Sequence, residues 1–221
     1  MAYLLTNNVL STSTVSATTF IAGNEETLFP FSRAYDGNPS TAYKSGTNTA
    51  PIIIINFNSV QTIDSLGIFV SSDSAFTVAL QTNDTVTTSS THANWTAVDF
   101  NKTGNNSAST STLTVDNTTN RAVMGVSNTK TTDTRSVKLT FSNFSGTTDS
   151  VNHIQIGEAK EINITSPYTP TLFRNFDLTS KRNNKGNPLI SDRVPIPKRL
   201  QLKTGLMTQT DMASLVNSTY A

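Results

Sequence analysis

Apolar positions along this chain fall in short clusters separated by turn residues, and most of the clusters alternate. Phe76, Val78 and Leu80 alternate with Thr77, Ala79 and Gln81, the period of a half-buried strand. Ile63, Leu66, Ile68 and Val70 mark another strand, with Gly67 at a bulge position. Ile52-Ile53-Ile54-Ile55 is different: an unbroken β-branched run leading to Asn56 and Phe57. It predicts a strand buried on both faces or crossing a sandwich core. Trp95, Ala97, Val98 and Phe100 predict a further short strand that places Trp95 in the core. Residues 113–115, 123–126 and 137–141 predict three more, and 153–157 another that runs on to Ile162 and Ile164.

The intervening segments are polar. Residues up to about Glu26 are mostly Ser, Thr and small apolar side chains, an extended lead-in with one or two short edge strands. Leu28-Phe29-Pro30-Phe31 reads as a strand margin or core plug, because proline interrupts it. Tyr35-Asp36-Gly37-Asn38-Pro39-Ser40 is a dense turn signal. Residues 86–91 read as a polar loop or edge, and 102–112 as a long polar loop or hairpin tip. Eight or more short strands between turns predict an all-β antiparallel jelly-roll β-sandwich over 1–165. Past Ser166 the texture changes. Pro167, Pro170, Pro188, Pro195 and Pro197 predict an extended C-terminal arm over 166–221. Within it, 199–203 fits a short strand. The stretch 208–216 fits a short helix, with Asp211 in its first turn and Met212, Leu215 and Val216 on one face.

Composition agrees with this reading. Thr, Ser and Asn number 38, 26 and 23, about 39% of 221 residues, while charged residues are only 14%. Thr favours strands, and Ser and Asn favour turns and caps, so a helix-rich fold is excluded. The absence of Cys removes disulfides, thiolate metal sites and thiol nucleophiles. No run of about 18 apolar residues predicts a membrane span. The start, Met1-Ala2-Tyr3-Leu4-Leu5-Thr6, lacks the basic region and apolar core of a signal peptide.

The net charge of +1 hides a split. Through Ser150 there are 7 basic and 10 acidic residues, or −3; after it there are 9 basic and 5 acidic, or +4. The excess lies in Arg174, Lys181, Arg182, Lys185, Arg193, Lys198, Arg199 and Lys203, opposed only by Asp177 and Asp192. Such a segment is either a solvated basic stretch or an arm that docks on an acidic partner surface. Nucleic-acid binding ranks third, since only Phe173 and Phe176 are available for stacking and no binding motif occurs.

Catalytic chemistry is missing from the sequence. His92 and His153 are isolated, carboxylates are scattered, and no zinc, phosphate-loop or nucleophile-elbow motif occurs. The expectation is a protein that is not an enzyme. Eight Asn-x-Ser/Thr triplets, such as Asn94-Trp95-Thr96, match the number this composition yields by chance and carry no information.

Six stretches, in order, carry a resemblance. They are Ala34-Tyr35-Asp36-Gly37-Asn38-Pro39-Ser40-Thr41-Ala42-Tyr43; residues 52–58; residues 63–70; Ala93-Asn94-Trp95-Thr96-Ala97-Val98; and Thr134-Arg135-Ser136-Val137-Lys138-Leu139, followed by 153–158. Over about 10–165 the chain resembles the discoidin-like domains, the galactose-binding-like jelly rolls also called coagulation-factor type C. Tyr43 stands where that family often has Trp, and its Cys pair is absent. The resemblance implies an eight-stranded jelly roll and, in many members, carbohydrate or lipid-headgroup binding by loops at one end. It also implies a structural calcium held by Asp36, Asn38, Thr41 and Glu158; the other reading of that turn is a plain Asx-turn. The layout, a Cys-free jelly roll with a basic Pro-punctuated extension, is similar to tail, baseplate or neck proteins of tailed bacteriophages. The leading expectation is therefore a structural virion protein. It would be made in the host cytoplasm and assemble with other virion proteins and with itself, through Arg174, Lys181, Arg182, Lys185, Arg193, Lys198 and Arg199. It would have no nucleic-acid or membrane partner. The alternative is a carbohydrate-binding module for host-surface glycans.

Overall fold

The computed structural model describes residues 2–11, 13–38, 40–47, 49–71, 74–102, 111–115, 122–146, 148–162, 171–173 and 199–201. Among them are ten strands: β1 (Ala2–Asn8), β2 (Val15–Ala22), β3 (Ile52–Ser71), β4 (Phe76–Asn83), β5 (Thr96–Ala97), β6 (Thr112–Val115), β7 (Ala122–Ser142), β8 (Ser150–Ile162), β9 (Thr171–Phe173) and β10 (Arg199–Gln201). A single 3-10 turn, Phe31–Ala34, joins them among the described residues.

The first eight strands form one antiparallel sheet in the order β1-β8-β3-β7-β4-β5, with β2 on β3 and β6 on β4. The sheet curls into a jelly-roll sandwich because β3 and β7, at 20 and 21 residues, each serve both layers. The first part of β3 pairs with β2 and with the last part of β7, from Ile52↔Thr140 to Asn56↔Ser136. The last part of β3 pairs with the first part of β7 and with β8, as in Gly67↔Met124 and Gly67↔Gln155. Between them the register shifts three times, from Asn56 to Ser65. Those shifts are bulges, which bend a strand and let it leave one layer for the other.

Alternation fills the interior as the sequence predicts. Ile53, Ile55 and Phe57 of β3, Val78 and Leu80 of β4, Val137, Leu139 and Phe141 of β7, and Ile154 and Ile156 of β8 belong to one core. Aromatic rings pack one end of it. Tyr43 meets Phe31 edge-on at 5.3 Å and stacks on Phe144 at 6.3 Å, and Phe144 meets Phe76 at 5.0 Å. Phe31 is the core plug expected from the sequence, whereas Leu28 is exposed.

Three expectations are corrected. The runs 52–57 and 63–70 are one strand, as are 123–126 and 137–141. The polar stretches between them pair across the sheet, as in Gln61↔Thr134, and form the bend. Thr-rich sequence tolerates this because Thr suits a half-exposed pleat. The strand expected over 95–100 shrinks to Thr96–Ala97. Val98 and Phe100 still enter the core, but Trp95 stays out of it.

A separate compact unit holds the antiparallel pair β9–β10, in which Arg199 faces Phe173 and Gln201 faces Thr171. The strand expected at 199–203 is thus found over 199–201. The remaining arm, including the helix expected over 208–216, lies outside the described residues.

Candidate functional site: a polar cleft beside the β7 bend

A cleft of about 580 Å³ opens where the loop after β4 meets the middle of β7. One wall comes from the end of β4 and the return into β5: Thr82, Asn83, Asp84, Asn94 and Thr96. The other is the β7 bend: Lys130, Thr131, Thr132 and Asp133. All nine are polar.

The first wall is built by local side-chain chemistry. Asn83 ends β4 with an Asx-turn: its Oδ1 accepts the Thr85 backbone N–H at 2.9 Å and the Thr85 hydroxyl at 2.7 Å. Its amide nitrogen lies 3.2 Å from His92 Nδ1. Asn94 Nδ2 donates to Asp84 Oδ1 at 3.1 Å, closing the loop on itself. The loop lies back on the outer face of β3 and β7. There Ser136 donates to the Thr85 carbonyl at 2.7 Å, and Asn56 Oδ1 accepts Thr87 N–H at 3.4 Å. Asn56 and Ser136 are both buried, so their polarity is spent on this loop.

In the second wall, Lys130 pairs with Glu158 at 3.0 Å and lies 3.9 Å from Asp64. Asp64 is fully buried. Burial holds its carboxyl above the usual carboxylate range, against the opposing pull of the Ala159 N–H and the Lys130 charge.

The residues predicted to bind calcium separate. Asp36, Asn38 and Thr41 do share one turn. Asp36 Oδ1 accepts Asn38 N–H at 2.8 Å, Asp36 Oδ2 accepts the Thr41 hydroxyl at 2.8 Å, and Asn38 Oδ1 accepts Ser40 N–H at 3.0 Å. Glu158 does not join them. The β8 residue that reaches this turn is Asn152, whose amide donates to the Thr41 carbonyl at 3.4 Å. Glu158 stands six residues further along β8, roughly 20 Å at the rise of a strand. The structure thus brings Asp36, Asn38 and Thr41 together, with their oxygens engaged with one another, and places Glu158 on Lys130. Of the basic residues expected to bind partners, Arg199 lies on β10. Arg174, Lys181, Arg182, Lys185, Arg193 and Lys198 lie outside the described residues.

The cleft residues escaped the sequence reading. Asn83-Asp84-Thr85 and Asn94 were legible as turn chemistry, but their partners sit in the middle of β7, which read as a break between strands.

Neither a protein-family model nor a curated protein sequence matches the chain. Solved structures do. A GH29 fucosidase of Ruminococcus gnavus, a mutant in complex with fucose, aligns at 12% identity with a TM-score of 0.50, over 70% of this chain and 27% of that one. A CBM32 module produced by Clostridium perfringens aligns at 12% identity over 69% of this chain and 99% of its own, with a TM-score of 0.46. Chitosan-binding module 1 of a Paenibacillus chitosanase/glucanase aligns at 19% identity over 69% and 99%, with a TM-score of 0.45. The likeness is one of fold, a discoidin-like, galactose-binding-like jelly roll.

Proposed function

We propose that the sandwich is a non-catalytic carbohydrate-recognition module that reads saccharide hydroxyls in the cleft beside the β7 bend. The observation that carries this reading is the pairing of Asn94 with Asp84 across from Asp133 and Lys130. Planar amides and carboxylates offer donors and acceptors at the spacing of vicinal hydroxyls, and several such groups converging in a concave site fix a ligand's orientation. Asp84 and Asp133 are exposed, which suits hydrogen bonding to a ligand better than proton transfer. The jelly-roll likeness to structures that include carbohydrate-binding modules is consistent with the reading. The test is a glycan array followed by calorimetry on the full chain. Binding of at least one saccharide, weakened by substitutions in the cleft, supports the proposal; an array without hits defeats it.

A second reading, the structural virion protein of a tailed phage, is favoured by the charge split between an acidic body and the basic 174–203 stretch. The two are compatible, since a virion jelly roll can also touch sugars. Here the test is incorporation of the full chain into particles after Arg174, Arg182, Arg193 and Arg199 are changed to Glu. Undiminished incorporation would remove the arm from assembly.

A further inference from the structure

Lys138 lies in the last part of β7, with Ile54 of β3 and Gln81 of β4 as its register partners. Its neighbours Val137 and Leu139 enter the core, so Lys138 points to the opposite face, under the loop that forms the first cleft wall. Only 9% of it is exposed. Its ammonium sits 4.8 Å from the centre of the Trp95 ring and donates to the Ser90 carbonyl at 3.1 Å. Trp95 Nε1 donates to the adjacent Ser89 carbonyl at 2.9 Å. Two successive carbonyls of the loop are therefore gripped by two side chains that also contact each other.

Little else of an apolar kind holds this loop. Its one aliphatic side chain larger than alanine, Val86, is 55% exposed. Among the described residues, no carboxylate pairs with Lys138 beneath it. Around Lys138, β3 presents Ile54 and Asn56, β4 presents Gln81 and Asn83, and β7 presents Ser136 and Thr140, none of them titratable. The loop contributes Asp84, bonded to Asn94, and His92, beside Asn83. A buried ammonium served by one carbonyl and one indole face is costly unless both are held in place. Burial accordingly pushes the amine below the ordinary lysine value.

We infer that Lys138 is a positioning residue, a latch that clamps residues 89–95 onto the sheet and thereby sets Asn94 and Thr96 in the wall of the cleft. The latch itself stands on the contacts of Lys138, Trp95 and Ser90; its effect on saccharide binding rests on the function proposed above.

Trp95 is the only tryptophan, so its emission reports on the latch directly. The full chain and two variants decide the matter: Lys138→Met keeps the stem and removes the charge, and Lys138→Arg keeps a cation able to stack on the indole. For the native chain, Trp emission should change in one alkaline step below the usual lysine pKa of about 10.4. That step should vanish in Lys138→Met, with red-shifted emission and faster proteolytic cleavage within 84–95. Lys138→Arg should restore the emission. Saccharide affinity should fall about tenfold in Lys138→Met and return to within about threefold in Lys138→Arg. Native emission and native protease resistance in Lys138→Met would overturn the latch. If Lys138→Met does not fold, the alkaline step of the native chain and the emission of Lys138→Arg still decide, and absence of both overturns the proposal. A native chain that binds no saccharide removes the proposed function, while emission and proteolysis continue to judge the latch.

Discussion

The Asp64 carboxylate accepts the backbone N–H of Ala159 at 2.7 Å, tying β3 to β8 beside the bend where β3 changes layers. Burial raises the folded-state pKa of this group above its unfolded value, so the folded chain binds the proton more tightly. Its contribution favours folding at pH below the unfolded carboxylate value and is lost as pH rises through the raised one. Asp64→Asn keeps an oxygen for Ala159 and deletes the titration. The melting temperature of the variant relative to the native chain should therefore improve between pH 3.5 and pH 7. A difference independent of pH would contradict this.

Gly157 accepts close passage of β1. A Cβ there would lie 1.6 Å from the Asn7 carbonyl oxygen, a backbone atom that cannot swing aside. Gly157→Ala should cost about 1–3 kcal/mol or more by overpacking. Denaturant unfolding measures the loss, and hydrogen exchange should place it at β1.

Tyr43 is fully buried, exchanges both backbone bonds with Val151, and donates its phenol to the Asn24 carbonyl at 3.0 Å. Tyr43→Phe keeps the ring contacts and leaves that carbonyl unpaired, a loss of about 1 kcal/mol. Tyr43→Ala removes the ring between Phe31 and Phe144 and should cost about 3–5 kcal/mol. Equal losses in the two variants would show that the ring itself carries no packing energy.

In the cleft, Asn94→Ala and Asp133→Ala should each weaken saccharide binding by about 5–10-fold, the worth of one hydrogen bond. Val86→Ser, on the same loop but outside the cleft, should leave affinity unchanged. Calorimetry that finds Val86→Ser as damaging as Asn94→Ala would point to general disturbance of the loop.

Much of the fold was legible because alternation and turn chemistry are local. Phe76, Val78 and Leu80 declared their strand without help from any other segment. The long strands were illegible because Asn58, Ser59, Asn128 and Asp133 belong to turns by composition and to strands only through pairing across the sheet. Trp95 was misplaced for a related reason. An aromatic beside Val98 fits a core strand, and only the buried cation beneath it, 43 residues away in sequence, draws it outward. The cleft, assembled from residues 82–96 and 130–133, inherits both difficulties.

The pairing of Ala2 with Ile162 has a consequence during synthesis. Strand β1 is made before the rest of the sandwich, yet its partner β8 is the last of the sandwich to be made. A nascent chain must carry β1 with an open edge until residue 162 has cleared the ribosome. Contacts so distant in sequence also slow closure after release. Over that interval Tyr3, Leu4 and Leu5 of β1 lack their β8 partners, and only Thr6-Asn7-Asn8 keeps the strand polar towards neighbouring chains.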